Sequence, residues 1–350
     1  MDSCSIAVVG ATGAVGRVFL DVLEERDFPV SDIRLCASER SVGKRLKCMG
    51  QEIAVELATP KLFSEVDFAF ISASGDVSRA LAPVAAEQGA VVIDDSSAFR
   101  MDAAVPLVVP EVNGADVADH KGIISIPNCS TTPLVMVLKP LMAVNPVKRV
   151  IADTYQSVSG TGAAAVEELR TQSKQLTNDD ALTHNDLAPD AYPHPIAFNA
   201  LPHIEPFLDN GYTNEEMKMV NETRKILHAP EIAVSATCVR VPVMLSHSEA
   251  LHIEFEHSIS PTEVREILAD FPGVIVVDDP RANVYPMPIE AAGRDEVFVG
   301  RVRQDVSHPN GIAMWVVTDN LRKGAATNAL QIAEEVLERN LLTRQATASR

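Results

Sequence analysis

Short apolar runs punctuate the first third of the chain. Ile6–Val9, Ile33–Cys36, Phe68–Ile71, Val91–Ile93, Leu107–Val109 and Ile123–Ile126 read as strands. Between them, Arg17–Glu25 and Val77–Gln88 carry apolar residues at helical spacing. Strand and helix in alternation predict a parallel sheet with helices on both faces. After about residue 145 the texture changes. Val147–Gln156, Ala233–Val241, Ala250–Glu256, Val297–Arg303 and Gly311–Thr318 are longer strand candidates. Leu251-His252-Ile253-Glu254-Phe255-Glu256 alternates in polarity, which suits a mixed or antiparallel sheet with one covered face. Asn178–Pro206 is rich in Pro, His, Asn and Asp and reads as an irregular excursion, long enough for a lid or an interface arm. Gly324–Leu342 is amphipathic through Ala325, Ala329, Ile332, Ala333, Val336 and Leu337, and reads as a closing helix before a frayed tail, Thr343–Arg350.

A chain of 350 residues has room for two such domains, and 46% hydrophobic with 22% charged residues is ordinary globular composition. The net charge of −18 changes the picture more. An acidic surface repels phosphate backbones and anionic lipid, so neither nucleic acid nor membrane is expected as a partner. An anionic substrate then needs a local basic pocket. The five cysteines, Cys4, Cys36, Cys48, Cys129 and Cys238, are odd in number and lack CxxC spacing, against a disulfide framework or a structural zinc. No leader-like segment and no bilayer-length apolar run is read, so the expected compartment is the cytoplasm.

Gly10-Ala11-Thr12-Gly13-Ala14-Val15-Gly16 follows the first strand and opens the first helix. Glycines there let the backbone turn tightly and approach a pyrophosphate held on the helix amides. The competing reading is a helix start that needs glycine only for packing. At the end of the second strand, Leu35-Cys36-Ala37-Ser38-Glu39-Arg40-Ser41 has small residues where an NAD site places a carboxylate. Arg40 can fork onto a 2′-phosphate and Ser41 can donate to it, which favours NADP. Glu39 opposes that if it turns inward, and a solvated loop arginine is the plain alternative.

Cys129 lies in Ile126-Pro127-Asn128-Cys129-Ser130-Thr131-Thr132-Pro133, between a strand and an apolar helical run. A helix start favours thiolate over thiol, and its amides with the Asn128 side chain can hold an oxyanion. A small buried hydrophobe is the bland alternative. The polar neighbours favour catalysis, whereas the other four cysteines read as structural. Among nine histidines, spacing does not choose a base. His247 has the best local case, seven residues after Arg240 and just before a strand. Arg240 ends a buried-looking strand and needs a carboxylate or phosphate partner.

GATGAVG, Ser38-Glu39-Arg40-Ser41, Ser96-Ser97-Ala98-Phe99-Arg100, Val109-Pro110-Glu111-Val112-Asn113, Pro127-Asn128-Cys129-Ser130-Thr131, Tyr155-Gln156-Ser157-Val158-Ser159-Gly160 and Cys238-Val239-Arg240-Val241-Pro242 follow one another along the chain. Collectively, and in this order, they resemble bacterial aspartate-semialdehyde dehydrogenases, to about Asn340. The resemblance implies an α/β chain: a Rossmann-type dinucleotide-binding domain from 1–128 and 319–350, and a glyceraldehyde-phosphate-dehydrogenase-like α+β catalytic and dimerisation domain from 129–318. It implies a homodimer or a dimer of dimers, with no metal. The activity implied is reversible NADPH-dependent reductive dephosphorylation of L-aspartyl-4-phosphate, on the route to diaminopimelate, lysine, threonine and methionine. By the same resemblance Cys129 is the nucleophile, His247 the acid/base, and Gln156 orients the acyl group. Arg240 holds the substrate carboxylate and Glu215 its ammonium, with Glu216 an open alternative. Arg100 and Lys218 hold phosphate, with Asn128 near. Gly10, Thr12, Gly13, Ala14, Val15, Arg40, Ser41, Ser159, Gly160 and Asn320 match NADP contacts. A related acyl-phosphate or acyl-thioester reductase, or a silent NADP-binding dimeric paralogue, is the rival reading.

Overall fold

The structure, a computed structural model, describes residues 3–343. It falls into two compact units: one runs to Asn128 and resumes at Gly324, the other is Cys129–Lys323. The sequence reading put the return at residue 319. Asp319 and Asn320 stay with the second unit because their side chains are engaged there: Asp319 accepts from the Gly293 and Leu321 amides at 2.7 and 2.9 Å, and Asn320 from the Ser246 amide at 3.0 Å.

The first unit opens with β1 (Cys4–Val9), α1 (Ala14–Glu25) and β2 (Val30–Cys36). A hairpin follows, β3 (Arg45–Cys48) and β4 (Gln51–Glu56), then α2 (Pro60–Phe63), β5 (Phe68–Ile71), α3 (Gly75–Glu87), β6 (Val91–Asp94), α4 (Pro110–Asn113) and β7 (Ile123–Ser125). The sheet order is β3-β4-β2-β1-β5-β6-β7, parallel except for the β3/β4 pair. Alternation along β1 shows why both faces are covered. Ile6 and Val8 pack with Phe19, Leu23 and Phe70 on one side, whereas Ala7 and Val9 pack with Leu62, Phe63, Ala82 and Ala85 on the other.

The expected strand Leu107–Val109 is only a single bridge, Leu107 to Ser125. Pro106 and Pro110 flank it, and the Val109 amide is taken by Asn113 Oδ1 at 2.9 Å, so no ladder can extend.

The second unit begins with α5 (Thr131–Val144) and β8 (Val147–Gln156). α6 (Ala163–Asn178) leads into the irregular stretch, which carries only a 3₁₀ turn at His184–Asp186. Then come α7 (Asn214–Ile226), β9 (Ala233–Arg240), β10 (His247–Phe255), α8 (Pro261–Ala269), β11 (Val274–Val276), α9 (Pro288–Ala291), β12 (Val297–Gln304) and β13 (Gly311–Thr318). The sheet order is β11-β12-β13-β10-β8-β9, with β8/β9 and β11/β12 parallel and the rest antiparallel. α5 and α7 pack on it and α5 is buried along most of its length. The register stacks the covered face in rows. Arg240 pairs with Gln156, and His247 with Thr318, at one end. In the next row Cys238 pairs with Thr154, Thr154 with Glu249, and Glu249 with Val316.

The chain returns to the first unit as α10 (Thr327–Glu338), whose Leu330, Ile332, Ala333 and Val336 join the cluster under α1. Of the expected tail only Thr343 lies within the described residues. Among the described residues no helix is long and apolar enough to cross a membrane.

Candidate active site

The glycine motif in the first unit is made of close approaches. Gly10 has φ +88°, and a Cβ there would stand 2.0 Å from the Ser72 carbonyl oxygen. At Gly16 it would stand 2.3 Å from the Gly10 carbonyl oxygen. Glycine is therefore required at both. α1 starts after Gly13 with no side-chain cap, leaving the first-turn amides, from Ala14 and Val15 onward, for an anion. Thr12 Oγ1 and Lys44 Nζ each lie 3.5 Å from Ser41 Oγ, at the short turn after β2 on which Arg40 is exposed. Lys44 was missed from the sequence; its place three residues past Ser41 was the available signal. Arg100, buried in this unit, donates from Nη2 to the Asp95 carbonyl at 2.8 Å. Asn128 is buried at the end of this unit's first segment, next to Cys129 in sequence.

In the second unit, Cys129 is half-buried and α5 begins two residues later, without a side-chain cap. Gln156 Nε2 donates to Ser130 Oγ and to Glu215 Oε1, the latter at 3.1 Å. A carboxamide carries two protons, so both bonds stand together. Glu215 Oε2 accepts from Lys218 Nζ at 3.2 Å. Glu216 has a different duty. Its Oε2 accepts from the Thr213 amide at 2.7 Å and its Oε1 from the Cys238 amide at 3.0 Å. With the Thr213 hydroxyl accepting from the Glu216 amide, this is a capping box that starts α7. Of the two acids, Glu215 faces the Gln156 cluster.

The Ser157 amide donates to His247 Nδ1 at 3.0 Å. An amide only donates, so Nδ1 accepts and the neutral ring carries its proton on Nε2. Burial first, and the Arg240 guanidinium second, push this imidazole down to about 3, against an opposing pull from Glu215. Arg240 Nη1 donates to the Ser157 carbonyl at 2.6 Å, and its guanidinium lies 5.9 Å from the Tyr192 ring centre. A Cβ on Gly160 would meet Arg240 Nη1 and His247 Nε2 at 3.1 Å each, so both side chains close over bare backbone. Asn320 Oδ1 gathers the Ser246 amide and the Ser157 and Ser159 hydroxyls within 3.0–3.1 Å. Its buried Nδ2 has no partner among the described residues.

Ser130, Ser157, Ser246 and Tyr192 were not read as functional from the sequence. Only Gln156-Ser157-Val158-Ser159, an abrupt polar run ending a long strand, carried a hint. Chemically, the second unit joins a thiol at a helix start to a cation, an acid, an ammonium and an N–H donor. That set suits an acyl-transfer reaction on a zwitterionic acid.

Residues 5–120 match the family model described as semialdehyde dehydrogenase, NAD binding domain, and residues 138–323 the one described as semialdehyde dehydrogenase, dimerisation domain. The aspartate-semialdehyde dehydrogenase of Aquifex aeolicus is 55% identical over 340 residues, 96% of this chain and 99% of that protein. The chain belongs to the aspartate-semialdehyde dehydrogenase family. Among solved structures, aspartate semialdehyde dehydrogenase II of Vibrio cholerae complexed with ASA superposes with a TM-score of 0.92 at 45% identity, covering 97% of this chain and 99% of that one. The Candida albicans aspartate semialdehyde dehydrogenase with NADP gives 0.74 at 27% identity, covering 97% and 99%. Membership makes the chain an oxidoreductase with a nicotinamide dinucleotide cofactor. The Rossmann-type and α+β units are those that an aspartate-semialdehyde dehydrogenase implies. Identity at this level over nearly all of both chains sets aside the other acyl-phosphate and acyl-thioester reductases.

Proposed function

We propose that the chain reduces L-aspartyl-4-phosphate to L-aspartate-4-semialdehyde, reversibly and with NADPH, through a thioester on Cys129. The observation that carries this reading is the chain of contacts from Ser130, beside the thiol, through Gln156 and Glu215 to Lys218. Arg240 pairs with the substrate carboxylate and Glu215 with its ammonium, in an otherwise acidic protein. Cys129 Sγ attacks the acyl carbon, the bond to the phosphoryl oxygen breaks, and phosphate leaves toward Lys218. Gln156 holds the acyl group. Bound NADPH supplies the hydride. His247, its proton held on Nε2 by Ser157, donates to the acyl oxygen while negative charge develops there. Collapse restores the thiolate and frees the aldehyde. Family resemblance makes His247 an acid/base; the tautomer has it enter as a hydrogen-bond donor.

Phosphate-dependent reduction of NADP with L-aspartate semialdehyde tests the reading, and turnover that ignores phosphate would refute it. Because the ring is neutral from alkaline pH down to about 3, His247 contributes no acid limb near pH 6.5 to the kcat profile. An acid limb near 6.5 that His247→Gln removes would contradict that assignment.

For the cofactor, the bare glycine turn fits a pyrophosphate, and Arg40, Ser41, Lys44 and Thr12 form a cationic, hydroxyl-rich set suited to a 2′-phosphate. In the second unit, Ser159, Gly160 and the donor Nδ2 of Asn320 are proposed as cofactor contacts. Arg40→Ala is expected to raise the NADP KM about tenfold while the NAD KM stays within about twofold, the loss of one exposed charge-assisted pair. Equal effects on both would argue that Arg40 is only a loop residue. A second copy of the chain is the expected partner of the second unit, pairing into dimers of dimers is a further expectation, and the cytoplasm is the proposed compartment for five free cysteines.

A further inference from the structure

The segment between Leu201 and Thr213 is pinned at both ends. Leu201 exchanges backbone bonds with Arg240 at 2.9 and 2.8 Å, and Phe207 bridges Thr213, the N-cap of α7. Between the pins Ile204 is buried, and Glu205 has φ +65°, a conformation a glutamate rarely adopts. From that position the Glu205 carboxylate pairs with Lys218 Nζ. Lys218 therefore touches two carboxylates, and they differ in surroundings. The Glu215 side chain is 6% exposed and anchored by Gln156, whereas the Glu205 side chain is 39% exposed. Water can solvate Glu205 once it lets go, so its bond to Lys218 is the one that can be exchanged.

We propose that Glu205 is a placeholder for the phosphoryl group: it holds the Lys218 ammonium in the empty site, yields it to the substrate's phosphoryl group, and takes it back as phosphate departs. This rests on Lys218 being a phosphate ligand. A phosphoryl dianion carries more charge than a carboxylate and displaces it, yet must overcome that competition to bind. The ammonium is never left without an anion, and release of phosphate is eased at a cost in phosphate affinity. A glutamate that merely positioned Lys218 would have the opposite effect, since its loss would weaken phosphate binding.

The sign decides. With inorganic phosphate varied against saturating aspartate semialdehyde and NADP, Glu205→Gln is expected to lower the phosphate KM about two- to fivefold, the range for a partly exposed ion pair. The semialdehyde KM is expected to stay within about twofold, and phosphate inhibition of the reductive direction to tighten by the same factor as the phosphate KM. Glu205→Asp, which keeps the charge on a shorter stem, is expected to fall between; it decides the matter alone if thermal melting shows the Gln variant unfolded. An unchanged or raised phosphate KM in the folded variant overturns the proposal. Lys218→Met separates the two claims. It is expected to raise the phosphate KM by about tenfold or more. If it does not, the assignment of Lys218 fails, and the proposal with it. If it does while Glu205→Gln lowers nothing, the placeholder alone is refuted.

Discussion

Cys129→Ala is expected to abolish phosphate-dependent reduction of NADP with aspartate semialdehyde, by about four orders of magnitude or more, while NADP still binds. The size follows from the role. Without the sulfur no thioester forms, and Gln156, His247 and Arg240 have nothing to hold in reacting position. Turnover within about a hundredfold of the parent would mean that the thiol is not the nucleophile. A titration of NADP by fluorescence separates lost chemistry from lost fold. The same residue is expected to react selectively with iodoacetamide near neutral pH. Cys4, Cys36, Cys48 and Cys238 are buried, and burial pushes the Cys4 and Cys36 thiols up to about 12, Cys48 to about 11, and Cys238 higher still. Cys129 is half-buried at a helix start. A thiol there no more reactive than the other four would favour a silent, cofactor-binding chain.

Glu249→Gln is expected to make the protein more stable than its parent at pH 8, and no more stable near pH 4.5. Glu249 lies on the covered face of the second sheet, one row below Gln156 and His247, and neither carboxyl oxygen has a partner among the described residues. Burial holds the acid well above its ordinary value of 4.5. The sign follows directly. Below 4.5 both folded and unfolded chains keep the proton, so ionisation adds no cost. Above it the unfolded chain releases the proton while the folded chain retains it. Each further pH unit then removes up to about 1.4 kcal/mol of stability, until the folded group ionises as well. Glutamine has nearly the same shape and no proton to hold. Urea denaturation at pH 5, 7 and 8 measures the gap. A gap that stays flat, or narrows as pH rises, would show that Glu249 is ionised in the folded protein.

Much of the fold was legible because buried strands write themselves as apolar runs. Phe68–Ile71, Val147–Gln156 and Gly311–Thr318 have the bounds their patterns predict. Where polar duty overlies a strand the signal fades. β10 begins three residues before its apolar run, on the polar triplet His247-Ser248-Glu249, at the end of the sheet that carries the candidate site. The β3/β4 hairpin escaped notice because Met49, not Asn or Gly, takes the first left-handed turn position, at φ 51°. α7 is mostly polar, and only its capping box announces it.

The site divides in the same way. Cys129, Gln156, Arg240 and His247 are chemically conspicuous and stand in recognisable motifs. The serines that orient them are not conspicuous. Ser130 meets Gln156 across 26 residues of sequence, and Ser157 meets His247 across 90, so only the folded sheet brings them together. Glu215 and Glu216 are alike in type and adjacent in sequence. Successive residues on a helix point about 100° apart, so one is left for the Gln156 cluster and the other for backbone amides.

The discontinuity of the first unit has a consequence for synthesis on the ribosome. The cluster beneath α1 needs Leu330, Ile332 and Val336, so a nascent chain that has emerged only through Asn128 presents Phe19, Leu23 and Phe70 without their covering helix. The second unit, Cys129–Lys323, is contiguous and can finish first. The residues up to Asn128 thus wait for α10 before that face of their sheet is sealed.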